Sequence, residues 1–181
     1  FDRIEEYGLV KGESNYYIAS KDGKYAIFDV SGNKITDWFD DIYEYGLVKG
    51  QSGLYVAVKG NRWENGKYAI FDKNGKMISP EWFDKIWEYG LVLGQSSYYL
   101  ARKNEKYAIF DKDGNQITPE WFDKIWEDGL IKGGSDYYIA RNKNTCAVYH
   151  KNGQKVSDDF PIEKILSLDK ITFYDRLGIV E

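Results

Sequence analysis

The stretch Phe83-Asp84-Lys85-Ile86-Trp87-Glu88-Tyr89-Gly90-Leu91-Val92 decides how this chain is read, because it does not occur once. It returns as Phe1-Asp2-Arg3-Ile4-Glu5-Glu6-Tyr7-Gly8-Leu9-Val10, again from Phe39 to Val48, and again from Phe122 to Ile131. A weaker fifth start lies at Phe160. The starts are 38, 44, 39 and 38 residues apart, a period near 40 with one insertion in the second copy. Self-similarity at such a period marks a repeat architecture, in which a unit buries its apolar face only against its neighbours. Residues 1–181 are therefore read as a single array of four full copies and one shortened copy. Since the chain opens at Phe1, inside the repeat pattern and without an initiator Met, it reads as a fragment or a processed product.

Outward from the quoted stretch, the third copy continues with Ser97-Tyr98-Tyr99-Leu100-Ala101-Arg102, then Lys106-Tyr107-Ala108-Ile109-Phe110-Asp111, then Asn115-Gln116-Ile117-Thr118. These short aromatic and β-branched runs, separated by Gly, Asn and Asp, carry the signature of strands and hairpins. Counting Gly90-Leu91-Val92-Leu93-Gly94 as well, about four strands per copy are expected. The turn Asp111-Lys112-Asp113-Gly114 has counterparts ending in Gly32, Gly75 and Gly153, where glycine supplies a tight turn's positive φ. Apolar runs such as Tyr25-Ala26-Ile27-Phe28 are continuous rather than alternating, which predicts sheets covered on both faces. The fold class is all-β, with β-propeller-like blades of about four strands, or alternatively an open β-solenoid. In the fifth copy Arg176–Glu181 aligns with Lys106–Asp111, so that copy is expected to stop after its third strand.

Composition narrows the function classes. With 17% aromatic and 43% hydrophobic residues the chain has material for a real core. A net charge of −4 without a basic stripe argues against nucleic acid as a partner. No apolar run is long enough to predict membrane insertion. The single cysteine, Cys146, excludes an intrachain disulfide and a thiolate metal cage.

The order Lys106-Tyr107-Ala108-Ile109-Phe110-Asp111, Gly114, Ile117, Pro119, Phe122-Asp123 and Gly129-Leu130 resembles the WG repeat family of bacterial proteins. The likeness covers almost the whole chain, with departures: Ala26, Ala69, Ala108 and Ala147 stand where that family usually has Gly. The resemblance implies binding and scaffolding rather than one chemistry, and a bacterial secreted or cell-surface setting. Function has still to be argued from sites.

Repeated positions are usually structural, so departures from the repeat are the better site candidates. His150 replaces the turn residue Asp29, Asp72 or Asp111, and Cys146 replaces Tyr25, Tyr68 or Tyr107. Two such residues without a third do not make a metal site or a nucleophile and base. The Asp111 turn lacks the later oxygen donors of a calcium loop. The repeated acids Asp2, Asp40, Asp84 and Asp123 sit in similar surroundings, unlike a glycosidase pair whose environments must differ. No catalytic residue, cofactor or metal site is expected. Tyr43, Trp87 and Trp126 share one place in the repeat, held by Glu5 in the first copy. A place that accepts Glu is expected to be partly exposed, giving an aromatic ladder beside Glu44, Glu88 and Glu127 able to stack on sugars or anchor a protein. Arg62 and Trp63 lie in the second copy's inserted loop, Gly60 to Gly66, and are the residue types favoured at interface hot spots. The expected activity is non-catalytic protein binding, adhesion or scaffolding; the alternative is a glycan-binding module using the aromatic edge.

Overall fold

The computed structural model describes residues 1–166; the aligned segment Arg176–Glu181 lies outside the described residues. All strands are antiparallel and fall into four small sheets, in chain order: β1 (Arg3–Glu5), β2 (Tyr16–Lys21) and β3 (Lys24–Asp29); β4 (Asp41–Ile42), β5 (Leu54–Lys59) and β6 (Lys67–Asp72); β7 (Lys85–Ile86), β8 (Tyr98–Lys103) and β9 (Lys106–Asp111); and β10 (Lys124–Ile125), β11 (Tyr137–Asn142), β12 (Thr145–His150) and β13 (Phe160–Pro161). Among the described residues helix is confined to α1 (Tyr7–Lys11) and α2 (Glu163–Leu166), and neither is long and apolar enough to cross a membrane. The all-β repeat read from the sequence is the fold.

Each sheet is centred on a hairpin of constant register. An alanine pair sits at the same place every time: Ala19 opposite Ala26, Ala57 opposite Ala69, Ala101 opposite Ala108, Ala140 opposite Ala147. Beside it on the same face an aromatic pair stacks, as Tyr55 on Phe71 at 5.5 Å and Tyr99 on Phe110 at 5.5 Å. The opposite face carries branched residues. In the second sheet these are Val56, Val58 and Ile70 with Tyr68, and they pack against Tyr99, Ala101, Ala108 and Phe110 of the third sheet. The same arrangement joins the first sheet to the second through Ile18, Ile27, Tyr55 and Ala57, and the third to the fourth through Leu100, Ile109, Tyr138 and Ala147. These three cores are thus shared between consecutive repeats, and small alanines leave depth for the branched side chains opposite. The short segment that opens the second, third and fourth copies crosses between sheets. Phe39 exchanges two backbone hydrogen bonds with Tyr25 at 2.8 and 2.9 Å, and then Asp41 and Ile42 pair with Val58 and Ala57 of the next sheet.

Two of the four expected strands per copy are not strands. Gly90 to Gly94 is a compact turn: Gly90 and Gly94 take φ of 80° and 69°, and the amide of Gly94 donates to Leu91 O at 3.2 Å. Burial is the reason, since Leu91 and Val92 are both in the core, and neighbouring side chains on a strand would point to opposite faces. The segment around Gln116 makes only an isolated bridge with Phe110. The Gly turns that follow the hairpins keep the expected chemistry, with Asp111 Oδ1 accepting from the amides of Asp113 and Asn115, both at 2.9 Å. His150 does the same job through Nδ1, which accepts from the Asn152 amide at 3.4 Å. Cys146 is buried against Ile139, Val148 and Phe160.

The repeated Asp of the second, third and fourth copies clamps two repeats together. Asp40 accepts from the ammonium of Lys24 in the preceding hairpin and from the Gly60 amide of its own, at 2.8 Å for the latter. Asp84 does so with Lys67 and the Asn104 amide, and Asp123 with Lys106 and the Lys143 amide. The lysine hydrogen bond, helped by the turn amide, holds all three carboxyls below the ordinary 3.8. A carboxylate depressed in the folded state stabilises above its unfolded value and loses that contribution as pH falls through its folded value. Stability followed by circular dichroism should therefore be level down to about pH 5 and fall below about pH 4, and Asp84→Asn should make part of that acid limb disappear. Phe83, fully buried between the second and third sheets and 5.1 Å from the Phe110 ring, gives a second expectation: Phe83→Ala should cost about 3–5 kcal/mol in urea unfolding.

Candidate functional site

The first copy departs from its siblings at Glu5, and the consequence is a cleft. In the third copy Trp87 lies 5.6 Å from the Tyr107 ring and roofs it; in the second, Tyr43 meets Tyr68 edge-on at 6.0 Å. Glu5 supplies no such ring. Tyr25 is left as the floor of a cleft of about 820 Å³ that also takes in Arg3, Glu5, Asp40, Asp41 and the loop from Gly60 to Trp63.

That loop is braced rather than slack. The Gly60 amide is held by Asp40, the amides of Glu64 and Asn65 both donate to Asn61 O at 3.1 Å, and the Trp63 amide donates to Asn61 Oδ1 at 2.9 Å. Tyr68 donates its hydroxyl to Arg62 O at 2.7 Å. The Arg62 guanidinium bonds Asp41 Oδ2 at 2.7 Å and lies 4.6 Å from the Tyr43 ring centre. Partial burial works against the charge of Arg62, but Asp41 and Tyr43 outweigh it and raise its pKa. Burial, then the neighbouring Tyr68, pushes the Tyr43 phenol up to about 12. Both groups stay in the charge states that favour the ring–guanidinium contact at neutral pH. Trp63, 5.0 Å beyond Arg62, is 84% exposed.

The expected ladder of partly exposed rings holds for Trp87 and Trp126 but not for Tyr43. Tyr43 is only 7% exposed, packed in the core between the second and third sheets and covered by Arg62. Trp87 and Trp126 are half-buried and pack against the cores of the following interfaces. The reason is geometric: this place in the repeat faces the next sheet, so a ring there covers that sheet's rim. Glu44 pairs with Lys49 at 2.8 Å and Glu127 lies 3.9 Å from Lys132. Glu88, whose copy has Leu93 in place of that lysine, has no ion pair among the described residues. Of the candidate residues, the structure gathers Arg62, Trp63, Tyr43 and Glu44 around one cleft and leaves Trp87, Trp126, Glu88 and Glu127 outside it. Tyr25 and Asp41 escaped the sequence reading, although the Glu5 substitution was the signal that could have found them.

Because Trp63 touches little of the fold, Trp63→Ala should change unfolding free energy by no more than about 0.5 kcal/mol. Arg62→Ala uncovers Tyr43 and leaves Asp41 without its cation, and should cost about 1–2 kcal/mol. Urea titration of the two variants separates these expectations.

No protein-family model matches the chain, and comparison with curated proteins yields no match. Among solved structures, a similar one is described as a crystal structure of the eukaryotic initiation factor, 12% identical, with a TM-score of 0.35 over 82% of this chain and 53% of that one. The chain thus spans about half the length of that structure.

Proposed function

We propose that this chain is a non-catalytic protein-binding module, of an adhesion or scaffolding kind, that recognises its partner with Trp63 and the cleft behind it. The observation that carries the reading is one large, exposed indole on a loop already held in place by Arg62, Asn61 and Asp40. An exposed aromatic is costly to leave in water and valuable to bury, and a braced loop loses little further entropy on binding. A non-catalytic role is supported by the repeated carboxylates Asp40, Asp84 and Asp123, which all do the same structural job. The resemblance to WG repeats, and the bacterial secreted or surface setting it implies, fit this reading and are proposed with it. A glycan-binding role is the second reading, favoured by the rings of Tyr25 and Trp63 lining the same cleft as the carboxylates of Asp40 and Asp41. Nucleic acid is not proposed as a partner, given the net charge of −4.

The test uses the whole chain and its Trp63→Ala variant against a random peptide display library and a glycan array in parallel. Enriched peptides whose affinity falls at least tenfold in Trp63→Ala, with an unchanged thermal midpoint, are the expected result. Sugar binding lost in both Trp63→Ala and Tyr25→Ala would transfer the assignment to the second reading. Binding that ignores Trp63 would overturn both.

A further inference from the structure

The first repeat carries the receiving half of an inter-repeat interface, and among the described residues nothing fills it. Phe1, Ile4 and Val10 are 62%, 46% and 75% exposed, whereas their counterparts Phe83, Ile86 and Val92 are fully buried against the preceding sheet. Polar groups follow the same rule. Asp2 accepts the turn amide of Asp22 at 2.8 Å, as Asp40, Asp84 and Asp123 accept theirs, but among the described residues no lysine completes its clamp. Gly12 shows the matching vacancy in backbone packing. A Cβ added at Gly50, Gly94 or Gly133 would lie 1.9, 2.7 or 2.3 Å from the carbonyl oxygen of Glu13, Gln51 or Gln95 in the repeat before, while at Gly12 it would meet nothing within 4 Å. Finally, Val48 O and Val92 O accept from Ser14 and Ser52 of the preceding repeat at 2.5 and 2.7 Å, and Val10 stands in the same place.

We propose that this face is a docking surface for the branched face of another repeat of the same kind, one that brings a hairpin lysine to Asp2 and an Ile, Val and Tyr surface to Phe1, Ile4 and Val10. The commitment to that occupant comes from the three filled interfaces. Each pairs the same apolar set with the same lysine, serine and close backbone approach, and the open face keeps every receiving element. A generic apolar partner would need neither a carboxylate at Asp2 nor the clearance at Gly12. The first copy's apolar residues are therefore interface residues awaiting their match.

The experiment places a second copy of residues 83–121 directly ahead of Phe1 in the whole chain, which recreates the Trp121–Phe122 junction at Trp121–Phe1. The added hairpin carries the equivalent of Lys106 for Asp2. The expected result is a single transition with a thermal midpoint raised by about 5 °C or more, and at least tenfold slower amide exchange over residues 1–12. Ile4→Asp with Val10→Asp should abolish both gains in the extended chain while moving the midpoint of the unextended chain by less than about 2 °C. An extension that melts separately, or gains that survive the double substitution, would overturn the proposal. So would concentration-dependent dimerisation of the unextended chain that the double substitution abolishes, because the occupant would then be a second copy of this chain.

Discussion

The structure depends on the fact that no single sheet in it can bury its own faces. A hairpin of six-residue strands with a two- or three-residue flanking strand has too little apolar area to be stable alone in water. Stability comes when the branched face of one sheet meets the alanine and aromatic face of the next. The segment that opens the second, third and fourth copies makes this obligatory, since its first residue is hydrogen-bonded to the sheet behind and its next residues to the sheet ahead. Cooperativity between neighbours is thus written into the backbone as well as the core.

The polar chemistry of the array serves the same junction. Asp40, Asp84 and Asp123 each join a lysine of one hairpin to a turn amide of another, and Ser14, Ser52 and Ser96 reach a carbonyl of the following repeat. These carboxylates and hydroxyls hold register between neighbouring repeats. The proposed recognition surface lies where the repeat breaks its rule. Glu5 withdraws a ring and opens a cleft; the insertion at Gly60 adds Arg62 and Trp63 beside it. Two independent departures, one in the first copy and one in the second, meet at a single surface because consecutive repeats are spatial neighbours.

The all-β class, the hairpins and the Asp-Gly turns that follow them were legible in the sequence, because each rests on local spacing that a 40-residue period repeats several times. So was the exposure of Trp63, since a hairpin tip with no counterpart in the other copies has nothing to pack under. The sequence could not decide which face of a repeat meets its neighbour. Glu5 shares the place of Tyr43, Trp87 and Trp126 and suggested partial exposure, yet that place faces the next sheet: Tyr43 is buried there, Trp87 and Trp126 are half-buried, and Glu5 lines the cleft. The Gly-Leu-Val segments likewise looked like strands by composition. Only the tertiary structure made them turns, as two adjacent residues had to enter the same core, and only it brought Tyr25, Asp41 and Arg62 together, because contacts across a repeat interface depend on how two sheets stack and not on spacing along the chain.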